Sequence, residues 1–361
     1  VLWTTPQLCL AKLQTAELVS VAKISDRAPH SAFTDLIEWK GQLVCAFREG
    51  RGHVSSDGKI RILASTDGVD WKPSALIDLK GFDLRDAGLT IAPDGRLMLI
   101  GGASPRPKDH ERTPTGSFVS FSDDAATWTK PQIVSEPGRW LWRVTWHEGN
   151  AYGVLYEAGS ADRTSALRVS KDGVKYRKLV PKLLDNGRPT EAVIRFANDG
   201  TMICLQRRDG KAPLNTAMLG VSKPPYTDWT WNDLGQFFGG PNLIQAPTGE
   251  WIAAGRIVRD NQPKTVLAWL DVENKSLEPF LELPSGGDTS YPGLIWRDDV
   301  LWVSYYSSHE DKTNIYLAQV KFSDSPPSAN RRVPAPVNTV SDKSPVSLSP
   351  AQSSACKKLG I

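Results

Sequence analysis

The chain has 361 residues, a formal net charge of +3 and an isoelectric point near 8.6. Apolar residues make up 40% of it and charged residues 23%, a balance typical of a globular protein. No cluster of lysine and arginine suggests a nucleic-acid-binding arm. No apolar run approaches the roughly 18 residues that a membrane-spanning helix needs. The composition therefore argues against nucleic-acid and membrane partners.

Six hairpins recur along the chain, each made of two short runs rich in β-branched and aromatic residues, with a polar turn between the runs. A spacing of about 50 residues between such units, built from short strands, is typical of a propeller. The sequence therefore predicts an all-β fold, a six-bladed β-propeller whose blades are four-stranded and antiparallel. The positions aligned between the six lead-in runs are Asp35, Asp86, Arg143, Glu191, Asn242 and Tyr291.

The strand-like run at residues 17–24 has no hairpin of its own, and too little chain follows the sixth hairpin for a fourth strand. We therefore predict that this N-terminal strand completes the last blade, which would close the ring and remove its open sheet edges. The propeller is expected to span residues 1–325. Residues 326–361 are rich in proline and serine and contain no aromatic residue, so a disordered tail is expected there.

Three turns share the pattern Ser-x-Asp-(Gly/Ala)-x-x-aromatic, at residues 65–71, 122–128 and 170–176. In such a turn the Ser and Asp side chains bond to backbone N–H groups and the aromatic ring packs into the blade. The turns resemble the Asp-box (BNR) repeats of the sialidase (neuraminidase) superfamily, and the resemblance extends over residues 20–322. It implies a sialidase-like propeller. We expect a monomer in a secreted or periplasmic location.

Sialidases use a tyrosine nucleophile paired with a glutamate, an aspartate acid/base, and three arginines that bind the substrate carboxylate. A neutral phenol avoids the repulsion that this carboxylate would exert on a carboxylate nucleophile. Tyr291 resembles the nucleophile and Glu191 its partner. On the loop after the first hairpin, Asp57 is the nearest match to the acid/base, and His53 competes with it. The resemblance implies a retaining exo-glycosidase that cleaves a terminal acidic sugar, sialic acid or similar, from a carbohydrate substrate.

Residues that lead into the innermost strands of a propeller surround its axis, where ligands bind. Arg207 matches the second sialidase arginine in placement, and only one of Arg207 and Arg208 should face the axis, because side chains alternate along a strand. The stretch at residues 30–34 lacks the first arginine, and Arg256 and Arg259 compete for the third position. The expected substrate-binding residues are Arg48, Arg85, Arg143, Arg207, Arg256, His30, Asp35, Asp86, Asn242 and Asp288.

Two other functions stay open. A polysaccharide lyase acting on uronic-acid glycans could use His30 and Tyr291 as base and acid, and a propeller could also bind glycans without catalysis. The five histidines are scattered along the chain and no phosphate-binding loop is present, so no metal and no cofactor are expected. Cys45 and Cys204 lie within apolar runs and are predicted to be buried free thiols.

Overall fold

Six four-stranded antiparallel sheets form the protein in a computed structural model, which describes residues 15–105, 115–159 and 163–323. The regular secondary structure of these ranges is entirely β-strand. Within them, no helix is long and apolar enough to cross a membrane. The predicted tail at residues 326–361 lies outside the described residues.

The blades follow one another along the chain, and the first strand of each is the innermost. Blade 1 contains β2 (His30–Trp39), β3 (Gln42–Gly50), β4 (Lys59–Ser65) and β5 (Lys72–Ile77); blade 2 contains β6 (Phe82–Ile91), β7 (Leu97–Pro105), β8 (Gly116–Ser122) and β9 (Gln132–Ile133). Blade 3 contains β10 (Arg139–His147), β11 (Asn150–Glu157), β12 (Ser165–Ser170) and β13 (Arg177–Leu184); blade 4 contains β14 (Pro189–Phe196), β15 (Met202–Arg208), β16 (Met218–Ser222) and β17 (Thr230–Asp233). Blade 5 contains β18 (Gly239–Gln245), β19 (Trp251–Arg259), β20 (Gln262–Asp271) and β21 (Ser276–Glu282); blade 6 contains β22 (Thr289–Arg297), β23 (Val300–Ser307), β24 (Asn314–Ser323) and β1 (Thr15–Ser25).

The N-terminal strand closes the ring, as predicted. β1 pairs antiparallel with β24 in a register that runs from Thr15 opposite Ser323 to Ser25 opposite Ile315. It begins and ends slightly outside the predicted range 17–24. Because β1 covers β24, the outer edge of blade 6 comes from the opposite end of the chain, and the two ends of the propeller are held together by backbone hydrogen bonds.

The Asp-box-like turns are tied as the sequence predicts. In the first turn, Asp67 Oδ1 accepts hydrogen bonds from the backbone N–H groups of Val69 and Asp70, at 2.8 and 2.9 Å. Trp71 Nε1 donates to the carbonyl of Gly68, which has a φ of 76°. A Cβ at residue 68 would come within 2.3 Å of the Trp302 ring, so glycine also permits close packing of blade 1 against blade 6.

Apolar side chains of neighbouring blades pack together into buried clusters that line the sheets. Cys45 and Cys204 are buried free thiols, as predicted. The mixture of apolar and polar residues changes at the start of the innermost strands, where buried charged groups appear. The end of the propeller axis at which the innermost strands begin therefore contains buried charged side chains, whereas the clusters between the sheets are apolar.

A β-bulge interrupts the pairing of every innermost strand at the same level. In five of the six blades the bulge contains a residue with positive φ; these residues are Phe33, Asp86, Arg143, Gly240 and Tyr291. Positive φ costs about 1–3 kcal/mol for a residue other than glycine, and bulges commonly redirect a side chain beside a functional site. The repeated bulge thus places strained residues with polar side chains, Asp86, Arg143 and Tyr291, around the axis.

Candidate active site

Tyr291 and Glu191 lie in contact at this end of the axis, although they are 100 residues apart in the sequence. The Tyr291 hydroxyl donates a hydrogen bond to Glu191 Oε1. The other carboxylate oxygen, Oε2, accepts from Arg207 Nη1 at 2.8 Å and from the backbone N–H of Gly240 at 2.9 Å. Arg207 Nε in turn donates to Asp209 Oδ1 at 2.7 Å. Both oxygens of Glu191 are therefore fixed, and one of them points at the phenol.

Aromatic rings enclose Tyr291 on several sides. The ring centroids of Phe33, Trp142 and Tyr306 lie 5.0, 5.8 and 6.0 Å from that of Tyr291. Burial raises the pKa of the Tyr291 hydroxyl well above its usual value, and the charges of Glu191 and Asp86 raise it further. The phenol is therefore protonated at neutral pH, and it can act as a nucleophile only if a base takes its proton.

Glu191 is suited to be that base. Burial raises the pKa of its carboxyl group, but the charge of Arg207 and the hydrogen bonds from Tyr291 and Arg207 outweigh burial and hold the pKa below its usual value. Glu191 therefore stays ionised beside a neutral phenol. Arg208, the neighbour of Arg207, is buried on the opposite face of the strand, where it pairs with Asp233. Of the two arginines, only Arg207 faces Tyr291, as the alternation of side chains predicts.

Asp86 lies in the bulge of β6, where its φ is 55°. Its Oδ1 atom is buried and accepts no hydrogen bond from any residue that the structure describes. Burial raises the pKa of Asp86 to about 6; Arg85 lowers it, whereas the charge of Glu191 raises it. The site thus holds two carboxyl groups with displaced pKa values, one kept ionised and one able to carry a proton near neutral pH.

The structure does not bring Asp57, the predicted acid/base, to this pair. Asp57 Oδ2 accepts from Arg51 Nε at 3.1 Å and its Oδ1 from the Arg51 backbone at 3.3 Å, so the carboxylate ties its own loop together. Burial raises the pKa of Asp57, but hydrogen bonds from Ser55 and Arg51 outweigh burial and lower it. The Asp57 carboxylate is therefore ionised and bound within its own loop, and its role as acid/base stays a prediction.

Two histidines converge on Asp288, just before β22. His30 Nε2 and His53 Nδ1 lie 3.0 and 2.6 Å from Asp288 Oδ2, and the Tyr306 hydroxyl donates to Oδ1 at 2.9 Å. Burial raises the pKa of Asp288, but the hydrogen bonds from both histidines outweigh burial and hold it well below its usual value. The His53 ring also lies against Phe33, at 5.3 Å between centroids, beside the wall of the Tyr291 site.

The loop that carries His53 is anchored by a fully buried ion pair. Arg48 Nε donates to Asp83 Oδ1 at 2.7 Å, and neither side chain is exposed. The other nitrogens of Arg48 donate to the Gly52 carbonyl at 2.9 Å and to Ser55 Oγ at 2.7 Å. Arg48 was expected to contact an anionic substrate, but its guanidinium is fully buried and donates three hydrogen bonds inside the protein, where it positions the loop.

We expect Asp83→Ala to lower the free energy of unfolding by about 3–5 kcal/mol, because it leaves the Arg48 guanidinium buried without its charged partner. Urea denaturation of the full chain measures the change. The control is Asp78→Ala, which breaks the exposed Lys59–Asp78 ion pair and should cost less than about 1 kcal/mol. Equal losses in the two variants would contradict a structural role for the buried pair.

Arg143, Asp35 and Asn242 form links between inner strands rather than open binding groups. Arg143 Nη1 lies 2.8 Å from Asp35 Oδ1, and its Nη2 donates to the Pro292 carbonyl at 3.1 Å. Asn242 Nδ2 donates to the same carbonyl at 2.9 Å, while its Oδ1 accepts from Arg195 at 2.8 Å. All three predicted binding residues are buried and bonded, so they hold the strands together near the axis, and their contacts with a substrate stay a prediction.

Arg85 and Arg256 keep unused donors. The Arg85 guanidinium lies over the Phe33 ring, 4.7 Å from its centroid, and makes no hydrogen bond to any residue of the described ranges. Arg256 makes one long bond, from Nη1 to the Thr289 carbonyl at 3.3 Å, and its charge acts on Glu191. Both side chains are half-buried. Together with Arg207 they supply cationic donors around the Tyr291–Glu191 pair.

Several residues that shape the site are not among the sequence-based predictions. Asp209 fixes Arg207, Tyr306 fixes Asp288, and Asp83 fixes Arg48. Asp209 follows the predicted Arg207 by two positions. An acidic residue just after a strand that ends in arginines could have predicted their ion pair. Tyr306 and Asp83 have no such signal, because Asp288 lies 18 residues before Tyr306 at the start of the same hairpin and Arg48 lies on a different blade from Asp83.

Solved structures with the same fold include proteins of known and unknown function. A protein of unknown function from Dyadobacter fermentans is 18% identical, with a TM-score of 0.72 over 85% of this chain and 99% of that one. An α-L-arabinofuranosidase from Fusarium graminearum, bound to an iminosugar inhibitor, is 16% identical, with a TM-score of 0.64 over 84% of this chain and 98% of that one.

A sialidase from Trypanosoma rangeli, bound to the inhibitor DANA, is 11% identical, with a TM-score of 0.63. The alignment covers 85% of this chain and 60% of the sialidase, so the chain spans little more than half the length of that enzyme. No family model and no curated protein sequence matches the chain. The chain therefore has the six-bladed β-propeller fold that these sialidase and arabinofuranosidase structures share.

Proposed function

We propose that the protein is a retaining exo-glycosidase that removes a terminal acidic sugar, sialic acid or a similar one, from a glycan. The observation that carries this proposal is the hydrogen bond from the Tyr291 hydroxyl to Glu191, whose second oxygen is fixed by Arg207 and Gly240. A phenol needs a base within hydrogen-bond reach to act as a nucleophile. The fold of the sialidase and arabinofuranosidase structures is compatible with such an activity.

In the first step, Tyr291 Oη attacks the anomeric carbon and passes its proton to Glu191. The bond from the anomeric carbon to the leaving oxygen breaks, and that oxygen takes the proton of Asp86. In the second step, Asp86 accepts a proton from water and the hydroxide attacks the anomeric carbon. The bond from that carbon to Tyr291 Oη breaks, and Glu191 returns its proton to the departing phenolate oxygen. The configuration at the anomeric carbon is retained, because it is inverted twice.

Asp86 takes the acid/base role in this proposal in place of Asp57. Its oxygen Oδ1 is buried and unpaired within the described part of the chain, and its charge acts on both Tyr291 and Glu191. Asp86 is thus an uncommitted carboxyl group whose charge acts on the nucleophile, whereas the Asp57 carboxylate is bound to Arg51 in its own loop. His53, the second sequence candidate, is held at Asp288.

Acidic sugars fit the charges around the pair. Arg85 and Arg256 have free donors, and Arg207 presents a third guanidinium. A substrate carboxylate would gain charge-assisted hydrogen bonds from them, each worth about 1.5–3 kcal/mol. A secreted or periplasmic location, where such glycans are met, belongs to the same proposal.

A panel of nitrophenyl glycosides tests the proposal. Glycosides of N-acetylneuraminic, glucuronic and galacturonic acid are compared with glucoside, galactoside and arabinofuranoside. We expect the best acidic substrate to exceed every neutral one in kcat/KM by about 10-fold or more, and Arg85→Met to lower its kcat/KM by about 10- to 100-fold. Arg96→Met is the matched control, because Arg96 also lies over an aromatic ring, that of Phe121 at 4.6 Å, but in a hairpin turn.

The other outcomes of the panel separate the rival functions. Equal or faster turnover of neutral glycosides would contradict the acidic substrate. Products with the absorbance of an unsaturated uronate, obtained with uronic-acid glycans, would assign the lyase function instead. Tight glycan binding without any turnover would leave a non-catalytic binding protein.

A further inference from the structure

His30, His53 and Asp288 come from three separate parts of the chain and direct one ligand atom each at the same point. His30 begins β2, His53 lies in the loop between β3 and β4, and Asp288 directly precedes β22. His30 precedes Asp288 by 258 residues in the sequence, and His53 precedes it by 235. The two ring nitrogens and the carboxylate oxygen all lie within 4.8 Å of one another.

We propose that these three residues bind one divalent first-row transition-metal ion at the junction of blades 1 and 6. Two imidazoles and one carboxylate suit Zn²⁺, Fe²⁺, Co²⁺ or Mn²⁺, whereas Ca²⁺ and Mg²⁺ prefer oxygen ligands alone. The site does not depend on the proposed glycosidase activity, and it goes beyond the sequence-based expectation that no metal binds. That expectation rested on the scattered positions of the five histidines, two of which, His30 and His53, the fold brings together.

The distances are close to those that a metal requires. Bonds of about 2.0–2.2 Å in a tetrahedral site place the ligand atoms about 3.3 Å apart. The two nitrogens lie 3.0 and 2.6 Å from Asp288 Oδ2. An ion would therefore need the carboxylate and the imidazoles to separate by well under 1 Å. The His53 side chain is 51% exposed and can make that movement in its loop.

Two buried groups preorganise the ligands. The Tyr306 hydroxyl, on a fully buried side chain, donates to the second oxygen of Asp288 and so orients the carboxylate. Metal-ligating carboxylates are commonly held by such outer-shell hydrogen bonds. Arg48 binds Gly52 and Ser55, on either side of His53, and thereby fixes the loop. A buried ion pair such as Arg48–Asp83 contributes little net stability, because removing both charges from water costs free energy. Its role is better explained by the loop position that it fixes.

The remaining coordination positions are open to solvent. The Asp288 side chain is 26% exposed and that of His53 about half exposed, so water or a substrate oxygen can approach from that side. Metal sites with three protein ligands and an open position are typical of sites that act on a ligand. Because His53 packs against Phe33, which also contacts Tyr291, an ion here would lie beside the candidate active site.

A metal-free triad is the rival explanation. In that arrangement both imidazoles donate an N–H group to the same oxygen of Asp288, and His30 Nδ1 stays buried without a partner among the described residues. The two explanations share their geometry, so the binding of an ion decides between them.

The test uses the full chain after treatment with a chelator. The protein is dialysed against Zn²⁺ or Co²⁺, its metal content is measured by mass spectrometry, and the affinity is measured by calorimetry. We expect about one ion per chain, and with Co²⁺ a visible absorption band of the kind given by nitrogen and oxygen ligands. Failure to bind an ion at micromolar concentration would overturn the proposal.

Variants identify the ligands. His53→Ala and Asp288→Asn should each weaken binding by more than about 100-fold, and Tyr306→Phe by about 10- to 100-fold, because outer-shell changes alone have effects of that size. His147→Ala removes an imidazole from blade 3, stacked on Phe196, and should leave the affinity unchanged. Undiminished binding in both His53→Ala and Asp288→Asn would show an adventitious ion and overturn the assignment.

Discussion

Replacing Tyr291 by phenylalanine is expected to lower kcat by about 10³-fold or more while the protein stays folded. The substitution removes the hydroxyl that would attack the sugar but keeps the ring, which packs against Phe33 and Trp142. Steady-state kinetics on the best acidic glycoside measures the loss, and thermal denaturation checks the fold.

Glu191→Gln is expected to cause a loss of similar size, because the amide cannot take the phenolic proton. The double variant should be scarcely slower than either single one, since residues that act as a unit have non-additive effects. Multiplicative losses would mean that Glu191 serves only to hold Arg207.

The control for these variants is Tyr305→Phe. Tyr305 is the neighbour of Tyr306 on β23, is fully buried, and donates its hydroxyl to the Pro284 carbonyl at 2.9 Å. Loss of that bond should cost about 1 kcal/mol of stability and leave kcat unchanged. If Tyr291→Phe behaved like Tyr305→Phe, the Tyr291 hydroxyl would be structural as well.

The blade pattern could be predicted because its signals are local. Alternating apolar residues, polar turns and the Asp-box-like motifs specify each hairpin within a few residues, and six copies at a regular period specify the ring. The pairing of β1 with β24 followed from counting strands, since a closed ring leaves no edge unpaired.

The bulges explain why only part of the site followed from the same pattern. Tyr291 and Asp86 lie within the bulges, and Glu191 does so in blade 4. Asp35 and Asn242 were aligned with them but lie directly after the bulge, where the strand pairing resumes. Arg143 was also aligned and lies within a bulge, but its guanidinium pairs with Asp35. A bulge adds residues to one strand without changing composition or period, so the sequence cannot show which residue it redirects.

Contacts between different blades could not be predicted from the sequence for another reason. The convergence of His30 and His53 on Asp288, and the pairing of Arg48 with Asp83, join residues of different blades. Such pairs depend on how the blades are stacked around the axis, and the spacing of residues within one chain does not record that. Arg48 was therefore expected to bind substrate, although its donors are used within the protein.

Asp86→Asn is the second change expected to have a large effect, and its size should depend on the leaving group. A glycan leaving group needs a proton, so its release should slow by about 10²–10⁴-fold without the acid. A nitrophenolate leaves without protonation, so cleavage of the aryl glycoside should slow far less. Comparison of kcat/KM for the two substrate types measures this difference, and equal losses would contradict a role for Asp86 in protonating the leaving group.

The pH dependence gives the same assignment independently. A general acid works only when protonated, and burial raises the pKa of Asp86 to about 6, so kcat/KM of the wild type for a glycan substrate should fall as pH rises through that value. Among the neighbouring side chains, Arg85 and His53 lower the pKa of Asp86, whereas Glu191 and Asp83 raise it. Arg85→Met should therefore move the alkaline fall to higher pH, and Asp86→Asn should abolish it. Asp57→Asn is the matched control and should leave the profile unchanged; if it removed the alkaline fall instead, the acid would be Asp57.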